Sequence, residues 1–78
     1  MSLREFLETF TVNSEFVNIL TSNYISAFGY GAYAYDFLHD VDDPDGYLDV
    51  KVLYVHALDG GLLEIIIDVV KEVSYDEH

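Results

Sequence analysis

The run YLDVKVLYVHALDGGLLEIIIDVV, residues 47–70, constrains the fold more than any other part of the chain. Two stretches rich in β-branched and aromatic residues flank Asp59, Gly60 and Gly61. Asp-Gly in such a setting is a strong short-range signal for a β-hairpin, because the turn needs residues that accept positive φ. Loop length then decides which side chains meet the core. A two-residue loop sets Lys51 opposite Asp68 and buries Val50, Val52, Tyr54 and His56 with Leu63, Ile65 and Ile67. A three-residue loop buries Leu53, Val55 and Ala57 with that same Leu63 set and leaves His56 opposite Glu64 on the outer face. A slip of one residue exchanges the faces of a strand. The three-residue loop is the expected register, since it leaves more polar atoms in water.

Upstream, Ser2 and Glu5 form an S-x-x-E capping box, Met1 and Phe6 have the spacing of its hydrophobic staple, and Leu3, Phe6, Leu7 and Phe10 recur at helical intervals. This predicts a short amphipathic helix over residues 3–10. After the TVNS break, EFVNILT (15–21) alternates like a strand, SN reads as a turn, and YISAFG (24–29) reads as a second strand paired with the first. From Ala32 the pattern changes. Ala34, Phe37, Leu38 and Val41 share one helical face, with Tyr33, Asp36 and Asp40 away from it. The expected order is therefore α-β-β-α-β-β, an α+β fold in which an antiparallel four-stranded sheet carries two short helices on one face. Residues 1–78 form a single domain on this reading, with 71–78 as a frayed tail.

A chain of 78 residues buries only about 60% of its unfolded surface and is stable by roughly 5 kcal/mol, which leaves little room for a deep active site. Apolar residues make up 51% of it, with seven Tyr and five Phe, so it is no acidic disordered tail. With no Cys there is neither a disulfide framework nor a thiolate metal site. No apolar run approaches a membrane span. A soluble protein of a reducing cytoplasm is expected.

Charge is the strongest functional signal. Fifteen Asp and Glu stand against Arg4, Lys51 and Lys71, a formal net charge of -12. Such self-repulsion opposes compaction, disfavours direct contact with nucleic acid or an anionic membrane, and finds its complement in a basic protein surface. The charge is densest in DVDDPDGYLD, where Asp40, Asp42, Asp43, Asp45 and Asp49 surround Pro44 and Gly46. As an EF-hand the loop fails. Aligning Gly46 to the invariant glycine places Asp43 and Asp45 at ligand positions but Val41 and Val52 at the two end positions that need carboxylates. Turn chemistry accounts for Pro44, Asp45 and Gly46; it does not require the remaining aspartates.

Other chemistry is less well founded. His39 beside Asp40, and His56 in a strand, lack any accompanying nucleophile, phosphate loop or metal spacing. The G-x-G of FGYGAYAYDF lacks its third glycine, and an anion there would approach Asp36. Tyr24, Tyr30, Tyr33, Tyr35, Tyr47 and Tyr54 exceed the needs of so small a core, and tyrosine is favoured at interfaces. The reading is non-enzymatic, with no cofactor and no metal.

The segments SLREFLETF, FVNIL and YLDVKVLYVHALDGGLLEIII resemble small phage and mobile-element proteins that begin with a short helix and end in an acidic hairpin. In size, charge and mixed pattern the whole chain resembles the acidic anti-CRISPR proteins. That resemblance is architectural, and it implies inhibition by DNA mimicry, with carboxylates meeting the Lys and Arg of a CRISPR effector in the cytoplasm of a bacterial host. The expected contact residues are Asp36, Asp40, Asp42, Asp43, Asp45, Tyr47 and Asp49, extended along the sheet by Glu64 and Asp68. Two other readings stand beside it: an acidic structural or interaction protein that self-associates, as a homodimer for instance, through a Tyr-rich surface, and a protein of a high-salt organism.

Overall fold

The computed structural model describes residues 1–72. In chain order it contains helix α1 (Leu3–Phe10), strands β1 (Phe16–Leu20) and β2 (Ala32–Tyr33), helix α2 (Ala34–His39), a 3₁₀ turn (Tyr47–Asp49), and strands β3 (Val52–Leu58) and β4 (Leu62–Ile67). No helix among these residues is long and apolar enough to cross a membrane. The expected frayed tail falls mostly on residues 73–78, which lie outside the described residues. Lys71, just before them, is tied to Asn23 by hydrogen bonds in both directions.

Helix α1 starts where its capping box places it. The Ser2 hydroxyl accepts from the Glu5 amide at 3.1 Å, and the Glu5 carboxylate accepts from the Ser2 amide at 2.9 Å. That amide, together with the Ser2 hydroxyl, holds the Glu5 carboxyl below its ordinary value. Because the folded-state pKa is depressed, this contribution is complete above the usual glutamate range and is lost as pH falls through the lowered value. Ser2→Ala is expected to cost about 1 kcal/mol at neutral pH and to make the acid limb of a stability-versus-pH curve shallower. Urea titrations from neutral pH downward check both.

Leu3 and Leu7 of α1 are fully buried with Val17 and Ile19 of β1, Ala34 and Phe37 of α2, and Ile65 and Ile67 of β4. One face of the sheet is thus covered by both helices. The N-terminus also holds the sheet edge, since the Leu3 amide donates to Val50 O and the Val52 amide to Met1 O.

The sheet order is β2-β1-β4-β3. It is mixed, where an antiparallel sheet was expected: β1 and β4 run parallel at its centre, flanked by antiparallel pairs on both sides. Ile65, Ile66 and Ile67 are all fully buried, so the C-terminal half of β4 is apolar on both faces and the strand takes an interior place, with β1 as its neighbour. Residue alternation carries no information about that direction.

The expected strand over 24–29 is replaced by a bend. Tyr24 has φ 63°, the Thr21 amide donates to Ile25 O, and after one antiparallel bridge, Leu20 with Ser26, the chain leaves the sheet. It returns as β2, at residues expected to open the helix. That helix is correspondingly short, six residues.

The β3–β4 hairpin uses both candidate registers. Leu58 pairs with Leu62, Ala57 with Leu63, His56 with Glu64 and Val55 with Ile65, as a three-residue loop demands. A bulge at Leu53 then shifts the pairing, so that Val52 meets Ile67 and the Asp68 amide donates to Lys51 O. Of the three residues expected inside, only Val55 packs on the core; Leu53, at the bulge, is 42% exposed, and Ala57 is exposed as well.

Among the described residues no helix covers the second face of the sheet. Pairing and alternation arrange it in three rows across the strands: Tyr33-Phe16-Leu62-Leu58, then Asn18-Glu64-His56, then Leu20-Ile66-Tyr54. The Tyr24 and Tyr54 hydroxyls are hydrogen-bonded to each other at the end of the last row. That bond raises the Tyr54 pKa above the ordinary tyrosine value.

Candidate functional site

The aspartate-rich loop is built on a tight turn. Pro44 fixes the backbone at its second position, the Gly46 amide donates to Asp43 O at 3.2 Å, and Gly46 takes φ 72°, a conformation that suits glycine. The Asp43 carboxylate then accepts from the amides of Tyr47 at 2.8 Å and Leu48 at 3.0 Å, capping the 3₁₀ turn that follows. Asp43 is therefore committed to the loop's own backbone. Replacing it by Ala strips both amides of their acceptor and is expected to cost about 1–3 kcal/mol. Asn, which keeps one acceptor oxygen, should cost less, and denaturant midpoints of the two variants check the order.

Below this turn the loop is anchored in the core. Leu48 is buried, and the Tyr47 ring meets Phe28 edge-on at 5.4 Å while Phe28 packs on Phe37 at 5.0 Å. Asp42 and Asp45 remain exposed. With Asp43, Pro44, Tyr47, Ala27 and Phe28 they line a cleft of about 220 Å³, closed on one side by Lys71. The Lys71 ammonium donates to Ser26 O at 3.4 Å and Ala27 O at 3.2 Å. The cleft thus presents negative charge on the loop side and holds a cation on the opposite wall.

The expected contact residues are carried by several elements of the fold. Asp42, Asp43, Asp45 and Tyr47 come together at the cleft. Asp40 is exposed at the end of α2, its amide bonded to Asp36 O. Asp36, half-buried, borders a separate open groove of about 400 Å³ with Asn13, Ser14, Tyr33 and Tyr35. Asp49 faces α1, where its carboxylate pairs with Arg4 at 3.3 Å; both side chains are solvated, so the pair adds at most about 1 kcal/mol. Asp68 is exposed beyond β4. Glu64 lies in the middle row of the uncovered sheet face, between Asn18 and His56, and so points away from the side that holds the helices.

Among the described residues no group of three or more His, Asp or Glu is placed to hold a metal ion. His39 packs against Tyr35 at 4.4 Å, and His56 against Tyr54 at 5.2 Å. The sequence reading missed Phe28 and Lys71 as cleft residues, because both reach the loop only through tertiary packing. It also missed the uncovered apolar face, although Phe16, Leu20, Leu62 and Ile66 fall at the positions alternate to the core residues and signal it.

No protein-family model, no curated protein and no solved structure matches this chain.

Proposed function

We propose that this protein is an acidic inhibitor that docks on and occludes a basic nucleic-acid-binding surface, with a CRISPR effector as the partner class and DNA mimicry as the mechanism. The observation that carries this reading is the fixed presentation of charge. Asp42 and Asp45 are exposed on a turn held by Pro44, by the Asp43 carboxylate and by buried Leu48. They belong to a chain with five acids for every cation, 15 to 3. Among the described residues only Arg4–Asp49 forms an ion pair, so Asp42 and Asp45 face solvent with no ion-pair partner there. A nucleic-acid groove carries several cations that stay unpaired until a polyanion arrives. Carboxylates ordered in advance meet them with charge-assisted hydrogen bonds, at a low ordering cost and with fast encounter.

A gel-shift assay tests the reading. A labelled target duplex bound by a guide-loaded CRISPR effector should be released when the protein is added first at low ionic strength, and an unchanged shift at large molar excess rejects this partner class. The second reading, self-association through a Tyr-rich surface, draws on a different feature, the uncovered sheet face. The two readings involve separate surfaces and do not exclude each other.

A further inference from the structure

We infer that the uncovered face of the sheet binds a second copy of this chain, sheet against sheet. Its outer rows are apolar, and apart from fully buried Ile66 they reach solvent: Phe16 is 41% exposed, Tyr33 51%, Leu58 42% and Tyr54 41%. At roughly 150–250 Å² per aromatic side chain, the three rings with Leu58 leave a few hundred Å² of exposed, mostly apolar surface. Half-buried Leu20 and Leu62, with Tyr24 at 58% exposure, bring the patch to roughly 600–800 Å², which a small stable dimer buries on each partner. Scattered surface residues do not form such a patch; a contiguous one marks an interaction surface.

Charge selects the occupant. The rows contain one acid, Glu64, in a chain of net charge -12, so a basic partner gains little here and is drawn to the aspartate loop instead. This is also the part of the sheet where two copies approach without stacking carboxylates on carboxylates. Symmetry completes the match. A two-fold axis along the strands between β1 and β4 lays the four strands of each copy over those of the other. It sets Glu64 against Asn18 of the second copy, Leu62 against Phe16 and Leu58 against Tyr33. An acid then meets an amide and not another acid, and an apolar row closes the polar middle row on either side.

This inference is independent of the proposed inhibition, because the loop cleft takes no part in it. Sedimentation equilibrium on the intact chain tests it. The protein should be a reversible dimer at micromolar concentrations, and the dimer should tighten between about 0.15 and 1 M NaCl, because salt screens the repulsion of two polyanions and favours apolar burial. Leu58→Ser should weaken it at least about tenfold, the order expected for losing a well-packed apolar contact. Asn18→Glu, which sets acid over acid, should also weaken it, and Asn18→Glu with Glu64→Asn should restore it. Circular dichroism confirms that each variant is folded. A monomer up to about 1 mM, the limit of any useful affinity, overturns the inference. So does a dimer indifferent to Leu58→Ser and Asn18→Glu, because it must use another surface.

Discussion

Phe37→Ala is expected to bring the protein to the edge of unfolding. Phe37 is fully buried and makes ring contacts with Phe28 at 5.0 Å and Tyr30 at 6.2 Å. Its helix has only six residues, too few to persist without tertiary packing, so this side chain is what docks α2 onto the sheet. Truncating a buried Phe costs about 3–5 kcal/mol, whereas a chain of this length has roughly 5 kcal/mol in total. At about 4–8 °C per kcal/mol for a domain of this size, the thermal midpoint should fall by about 15 °C or more. Phe10→Ala, at a position 61% exposed, should stay within about 0.5 kcal/mol of wild type. A Phe37→Ala midpoint within about 5 °C of wild type would mean that α2 is held by something else. The consequence reaches the loop, since Phe28 is the floor on which Tyr47 rests.

What was legible in the sequence follows the range of the interactions involved. Helix α1 is local: Ser2 and Glu5 bond across three residues, and its limits match the expected 3–10. The hairpin turn is local too, and Gly60 and Gly61 take φ 83° and 79° as an Asp-Gly-Gly loop requires. The direction of β1 against β4 is set by a pairing such as Ile19 with Ile65, which no short window contains. The bulge at Leu53 adjoins the N-terminal strap, where Leu3 and Met1, about fifty positions away in sequence, hold the backbone of Val50 and Val52. YISAFG has strand composition, yet the Thr21 hydroxyl donates to Asn23 and accepts from the Ile25 amide, while Asn23 accepts from the Lys71 amide beyond β4.

The site divides along the same line. The tight turn at Pro44, Asp45 and Gly46 was readable because turn residues act on their own backbone. Asp43 emerged as a cap, and Asp49 as the partner of Arg4, only once the chain was folded. Glu64 alternates onto the far face with His56, as the three-residue register required, and that position separates it from the loop it was expected to extend.

The second large effect concerns the exposed carboxylates. Changing Asp40, Asp42 and Asp45 together to Asn takes the net charge from -12 to -9, three carboxylates fewer. It touches no side-chain hydrogen bond found among the described residues. Stability should therefore be unchanged or slightly raised by relief of repulsion. Binding to the basic partner should weaken by about 100-fold or more, since each charge-assisted contact contributes on the order of 1.5–3 kcal/mol. The matched control removes the same charge elsewhere, through Glu8→Gln, Glu15→Gln and Asp59→Asn, and should lose less than about tenfold, the share due to the long-range field alone. Binding isotherms of both triple variants against a guide-loaded CRISPR effector give the comparison. Equal losses would make net charge, and not the shaped loop, responsible for recognition.

Salt dependence of DNA displacement is the most direct test. Fluorescence anisotropy of a labelled duplex on a guide-loaded CRISPR effector is followed while the protein is titrated in, at a series of NaCl concentrations. The protein should release the duplex stoichiometrically near 50 mM NaCl, and its own affinity should fall by at least about tenfold by 200 mM as the contacts between carboxylates and cations are screened. Failure to release the duplex at the lowest salt, or release that persists undiminished as salt rises, would contradict recognition through the carboxylates of the Asp40–Asp45 loop.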